Sequence, residues 1–447
     1  MPARLIDSLN TTEALADVFS DESLLQAMLD FEAALSRAEA AEGIVPAAAA
    51  KVISTAAKAA SSDIAGIAAL VRETQRAGTP GIPIAKALTA RVRGVDAEAA
   101  RFVHWGATSQ DVADTGLILL LKRAQPILAA DLSRLEKNLQ ALSEKHRDTT
   151  MLGRTLLQAA PPVTFGLKAA GWLGAIRRSR VRLDAAFGEA LVLQFGGASG
   201  TLAALGGKGL AVGKAMAADL ELGFPDAPWH AQRDRLGALV AASGVLTGAL
   251  GKMARDVSLL MQGEVGEASE AGGEERGGSS TMPQKRNPIA SSLALAAANR
   301  VPGLVAAFLA GMVQEHERGV GGWQAEWPTV AHVIQSTGAA AAAMAEVAGG
   351  LEVDAARMRE NIEATHGTIF AERAAMLLRE SLGREAAHKL MEEATRKSTA
   401  QGRPLAEVLR EIPEVTKVLD RKTLDGLDRP ENYLGVAEEL RKRLLEF

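Results

Sequence analysis

Eight residues in one stretch, Leu236, Leu239, Ser243, Leu246, Leu250, Met253, Val257 and Leu260, recur at alternating intervals of three and four. That spacing lines one stripe of an α-helix for more than three heptads, a seam of the coiled-coil kind. A stripe this long has to be buried against other helices, which restricts the fold more than any other feature of the chain. A second ladder, Leu128, Leu132, Leu135, Leu139 and Leu142, lies within 111–146. Stretches 163–186, 288–317 and 329–351 are helical by composition, and Pro302-Gly303 should kink the second of them. Aromatic residues make up 4% of the chain, and β-branched alternation is scarce, so little sheet is expected. The expected fold is all-α, a long central helix bundle flanked by two smaller helical domains. The expected boundaries are 1–110 for the N-terminal domain, 111–353 for the central bundle and oligomerisation domain, and 354–447 for the C-terminal domain.

Glycine accounts for 43 of the 447 residues. Several, including Gly237, Gly244, Gly248 and Gly251, fall inside the seam helix, where each costs about 1 kcal/mol relative to alanine. Close helix–helix packing explains them, and long seams lined with small residues point to a bundle that packs against copies of itself. The formal net charge of −4, without a basic stripe, argues against nucleic acid as a partner. With no cysteine, the chain has no disulfides, thiolate nucleophile or cysteine-based zinc site, and a reducing compartment suits it. The first residues lack the pattern of a signal peptide and no continuous apolar run reaches about 20 residues, so a cytoplasmic protein without membrane contact is expected. Metal-binding motifs such as HExxH are absent. Gly196–Gly200 mimics a dinucleotide loop, but Ala198 stands where the second glycine is required.

Three breaks in the helical pattern carry polar residues. Gly277–Pro288, GGSSTMPQKRNP, follows a Gly/Glu-rich run and ends in Asn287-Pro288, an N-cap followed by a first-turn proline. This places Ser279, Ser280, Lys285 and Asn287 near the positive end of a helix, a seat for a carboxylate. His104–Asp111, HWGATSQD, puts Thr108 three residues before Asp111, a variant of the capping box. Gly153–Pro162, GRTLLQAAPP, sets Arg154 and Gln158 in apolar surroundings. Ordinary caps and satisfied structural hydrogen bonds are the alternative reading for each.

GGSSTMPQKRNP resembles the GSSxMPxKxNP signature of the fumarase/aspartase superfamily, which includes adenylosuccinate and argininosuccinate lyases. HWGATSQD and GRTLLQ resemble its other two active-site segments, in the expected order. Val192–Gly206, Pro228–Leu236 and Gln314–Trp327 are most similar to the superfamily's cycloisomerase branch, whose substrate is a tricarboxylic muconate closed to a lactone. The resemblance covers nearly the whole chain. It implies an all-helical homotetramer that uses no metal or cofactor, with each active site assembled from three subunits. It assigns Ser279 as general base, Lys285 and Asn287 to the substrate carboxylate and its developing charge, and Thr108 and Ser109 to a carboxylate. Thr155 and Gln158, with the neighbouring Arg154, would orient substrate, His104 would be an acid or a substrate contact, and Arg318 would bind substrate. His230 and His316 would shape the site without doing chemistry, and His146, His332 and His388 would be structural or at the surface.

Two departures matter. The lyases commonly have histidine where this chain has Leu156, and glutamate where it has Ser292, and those two groups together handle a proton. An amine or hydroxide leaves poorly without general acid catalysis, worth about 10²–10⁴-fold. A carboxylate with pKa near 4 leaves or attacks unaided. Loss of the pair therefore favours the cycloisomerase reaction, in which the substrate's own carboxylate opens or closes a lactone through an aci-carboxylate. The rivals are a lyase of the adenylosuccinate or argininosuccinate type and an inactive structural oligomer; intact Ser279, Lys285 and Asn287 weigh against the latter.

Overall fold

The computed structural model describes residues 5–58, 66–271, 282 and 285–446. The seam forms: Leu236 to Leu260 all lie buried along one helix, as does the second leucine ladder along another. Five long helices carry the middle of the chain, Ser109–Lys145, Phe165–Ala190, Asp234–Leu260, Ile289–Gly311 and Gly322–Gly350. The last of these begins earlier than its composition suggests and takes Pro328 into its first turns, while Pro302 lies inside a continuous helix. Apart from two short antiparallel strand pairs, the described architecture is all-α.

The chain divides into two compact units, each assembled from three stretches, with boundaries that fall inside the long helices. The first comprises 1–133, 178–251 and 293–343. Its core gathers on helix α1 (Asp21–Ala41), which starts at Ser20, whose side chain accepts from Ser23 N, and carries Asp21 and Glu22 in its first turn. Both features satisfy the open amides and the dipole of a helix N-terminus. Leu25, Met28, Leu29, Phe31 and Leu35 of α1 pack with Ile53, Leu88, Val112, Leu120, Phe195 and Met216. In the same unit a Cβ on Gly244 would lie 2.9 Å from Val305, so this seam glycine is there for close packing.

The second unit comprises 134–177, 252–292 and 344–447. Its apolar core runs through Ile362, Phe370, Leu378, Met391, Leu405, Leu409 and Leu424. Strand β1 (Thr150–Thr155) pairs antiparallel with β2 (Gln158–Thr164), from Thr150 opposite Thr164 to Thr155 opposite Gln158, with an irregularity at Leu152/Gly153. The third polar break is therefore a hairpin where no strand was expected. Pro161 and Pro162 deny it a helix, and Leu156 and Leu157 turn the chain with φ of 51° and 65°. A turn with two positive φ values matches the twist of a hairpin but usually carries Asn-Gly.

Two described helices, Asp234–Leu260 and Ile289–Gly311, are long and apolar enough to cross a bilayer by length and composition alone. The expectation of no such run is corrected to that extent. The first is largely buried, as a bundle seam demands. The second is less buried and shows Ala296, Pro302, Gly303, Ala306, Ala307, Leu309 and Ala310 to solvent.

Candidate active site

In the first unit the sequence HWGATSQD forms the entry to helix α2 (Ser109–Lys145). His104 has φ +59°, a left-handed conformation that a non-glycine residue keeps only when its surroundings enforce it. Asp111 closes the turn: its Oδ2 accepts from Thr108 N at 3.0 Å, the capping contact expected from the spacing. The same carboxylate accepts from Gly196 N (3.0 Å), Gly197 N (2.9 Å) and His230 Nε2 (2.7 Å). The glycine stretch that mimicked a dinucleotide loop thus cradles an internal carboxylate. A Cβ on Gly196 would sit 2.7 Å from the His230 ring, so only glycine admits this approach.

One turn further on, Asp114 accepts from Gln110 and Gln194 (both 3.2 Å), from Trp323 Nε1 (2.9 Å), and from both terminal nitrogens of Arg233 (2.8 and 3.1 Å). Arg233 is buried and forks onto Glu326, with Nε and Nη2 at 2.9 and 2.6 Å from Oε2. Burial alone would lower its pKa, but Asp114 and Glu326 outweigh that and raise it. Burial pushes the Glu326 carboxyl up, although Arg233 draws it down. Gln314 also donates to Glu326, at 2.8 Å. The three family-like segments around Gly196, Arg233 and Glu326 thus converge on the first turns of α2.

Arg318 ends this chain of contacts. Its Nη1 donates to Thr108 Oγ1 at 2.8 Å and its Nε to Gln110 Oε1 at 3.2 Å. No carboxylate lies within ion-pair distance of it among the described residues. A half-buried guanidinium held by neutral acceptors beside the N-terminus of α2 has the chemistry to seat an anion. His104, Thr108, Ser109 and Arg318 therefore belong to one local assembly. His230 is buried and serves Asp111, in keeping with a role short of chemistry.

In the second unit, Thr155 and Gln158 flank the hairpin tip and are exposed. Leu156 and Leu157 at the tip are 96% and 77% exposed. Arg154 forms a bidentate ion pair with the buried Glu267, Nη1 to Oε2 at 2.8 Å and Nη2 to Oε1 at 2.7 Å, and Asn361 donates to the same carboxylate. Its fork is filled by the protein itself, which anchors the hairpin next to its turn. Lys285 and Asn287 line a concavity of about 870 Å³ with Gly266, Ser269, Glu352 and Asp354. The helix after them, Ile289–Gly311, is capped by Glu270, whose two oxygens accept from Ala290 N (3.1 Å) and Ser291 N (2.8 Å). The expected Asn287 cap is corrected accordingly: a longer acidic side chain from upstream reaches these amides. Ser279, the expected general base, lies outside the described residues, as does Ser280.

This chain is 50% identical over 442 residues to the 3-carboxy-cis,cis-muconate cycloisomerase of Bradyrhizobium diazoefficiens, spanning 99% of this chain and 97% of that protein. The chain belongs to the 3-carboxy-cis,cis-muconate cycloisomerase family. The enzyme of the same name from Pseudomonas aeruginosa is 49% identical, over 99% of this chain and 96% of that one. The crystal structure of 3-carboxy-cis,cis-muconate lactonizing enzyme from Pseudomonas putida superposes with a TM-score of 0.93 at 44% identity, covering 99% of this chain and 98% of that one. The family model described as Lyase matches residues 8–303, and that described as Adenylosuccinate lyase C-terminus matches 367–444.

The two departures from the lyase pattern have ordinary local settings. Leu156 is the first turn residue of an exposed hairpin, and the Ser292 hydroxyl donates to Pro288 O at 2.7 Å. Sequence reasoning missed three acids that the structure puts to work: Glu267 under Arg154, Glu270 on the helix cap, and Glu32, which lies 2.6 Å from His104. Only Glu32 left a signal, an acid on the apolar face of α1 between Leu25, Met28, Leu29 and Leu35.

Proposed function

We propose that the chain interconverts 3-carboxy-cis,cis-muconate and 4-carboxymuconolactone, within the conversion of protocatechuate-type aromatic acids, and that it does so as a soluble cytoplasmic enzyme without metal or cofactor. One observation carries the choice among superfamily chemistries: the two positions of the lyase proton relay lack its histidine–glutamate acid–base pair. Leu156 is apolar, and the Ser292 hydroxyl is committed to a backbone carbonyl. An intramolecular carboxylate needs no such relay, because it is already a competent nucleophile and leaving group near neutral pH.

In this reading segments from different subunits hold the trianion: Arg318, Thr108 and Ser109 at the start of α2, Lys285 and Asn287 of the GGSSTMPQKRNP segment, and Thr155 and Gln158 of the hairpin. Arg154 supports the hairpin from below. One carboxylate adds across the diene. The neighbouring carboxylate takes the charge as an aci-form that fixed donors stabilise. Ser279 exchanges the proton at carbon, its hydroxyl activated by loop amides and Lys285.

We further propose a homotetramer whose sites draw segments from several subunits. Two features support it: the exposed small residues Ala296, Gly303, Ala306, Ala307 and Ala310 on one helix, and two leucines displayed in a strained turn. Apolar surface of this kind usually marks an interface. The deciding experiment follows 3-carboxy-cis,cis-muconate by its ultraviolet absorbance with purified protein, beside coupled assays with adenylosuccinate and argininosuccinate. Turnover of the muconate alone is expected; turnover of either succinate with none of the muconate would overturn the reading. Activity near wild type in Ser279→Ala would remove Ser279 from the mechanism.

A further inference from the structure

His104 has a buried partner. Glu32 is 1% exposed, its Oε1 lies 2.6 Å from His104 Nδ1, and its Oε2 is buried without a hydrogen-bond partner. Two turns further along α1, Glu39 is also buried and neither of its oxygens is hydrogen-bonded. Burial, and then the charge of Glu32, pushes the Glu39 carboxyl up to about 8, so near neutral pH it is mostly uncharged. The other ionisable group acting on His104 is Asp111 from α2, which His230 and three backbone amides hold. Burial of the His104 ring would lower its pKa, but Glu32 and then Asp111 outweigh that and raise it. The backbone at His104 is left-handed, a conformation its surroundings hold at a cost, and the ring meets Glu32 through Nδ1.

We propose that Glu32 is a positioning residue for the reaction: it fixes the His104 ring through Nδ1 as a cation whose Nε2–H meets one carboxylate of the tricarboxylate substrate. Its contact differs from the lyase histidine–glutamate pair in place and in task, since it holds charge and moves no proton. A neutral substrate would gain nothing from it. This rests on the reading of His104 as a residue of the cycloisomerase site.

The test compares the full-length wild type with Glu32→Gln, Glu32→Asp, His104→Gln and the double variant Glu32→Gln/His104→Gln. It measures kcat and KM with 3-carboxy-cis,cis-muconate, and titrates the His104 ring by NMR. Losing a charge-assisted hydrogen bond should lower kcat/KM about ten- to a hundred-fold in His104→Gln. The loss should appear mainly in KM. Glu32→Gln should show a comparable rise in KM and a lower ring pKa, Glu32→Asp should recover part of both, and the double variant should be no worse than His104→Gln. Wild-type KM and an unmoved ring titration in Glu32→Gln, with His104→Gln impaired, would overturn the proposal and leave the site reading intact. Wild-type kinetics in His104→Gln would overturn the site reading and the proposal together. If Glu32→Gln does not fold, the wild-type titration still decides: a ring that titrates below the ordinary 6.5 refutes the pairing.

Discussion

Glu39 offers a perturbation whose size follows from its surroundings. Both oxygens are buried without hydrogen-bond partners, and the carboxyl holds its proton up to about 8 against an ordinary 4.5. The folded state therefore binds more protons than the unfolded chain between those values, and stability must fall as pH rises through that window. The gap of about 3.5 pH units, at about 1.4 kcal/mol each, sets an upper bound of roughly 5 kcal/mol on the cost above pH 8. In Glu39→Gln the side chain cannot ionise, so this slope should vanish. The amide brings unsatisfied donors into the same cavity at about 1–3 kcal/mol, so the variant should be the less stable protein near pH 5 and the more stable one near pH 8. Denaturant unfolding at fixed protein concentration, repeated from pH 5 to pH 8.5, reads the crossing directly. Parallel stability curves for the two proteins would refute the idea that Glu39 is buried as a neutral acid.

Three further outcomes are expected. Arg233→Met leaves Asp114 and Glu326 buried without their shared cation and should lower unfolding free energy by about 3–5 kcal/mol in the same assay. Arg318→Ala should raise KM for the tricarboxylate at least about ten-fold with little change in melting temperature, because the side chain is half-exposed and binds only neutral acceptors. Leu156→Asn with Leu157→Gly suits the hairpin turn better, by about 1–2 kcal/mol of backbone strain. Even so, it should weaken subunit association in sedimentation and lower specific activity.

The seam from Leu236 to Leu260 was legible because burial of a helix stripe imposes its period on the sequence. Asp111 was legible as a local cap for the same reason of spacing. Its other donors, Gly196, Gly197 and His230, come from 85 to 119 residues away, and such pairings leave no periodic trace. The hairpin at 150–164 escaped notice because its turn uses two leucines where Asn-Gly would announce it. The cap of Ile289–Gly311 went to Glu270 across a stretch of chain that local rules cannot span. Among the site residues, the signature segments fixed which side chains to inspect, and the structure supplied what each leans on: Glu267 beneath Arg154, Glu32 behind His104, Thr108 under Arg318.

The start of α2 is fastened by Gly196, Gly197, Gln194, His230, Arg233 and Trp323. A polypeptide emerging from the ribosome has made the turn at 104–111 long before it has made Arg318 and the last clamp, Trp323, both more than 200 residues downstream. Until Trp323 arrives, Asp114 lacks part of its shell, and a truncated or stalled product would present the right residues on an unanchored turn. Tight binding of the tricarboxylate should then report on completed folding of this unit, and it should be lost on limited proteolysis well before overall helicity declines.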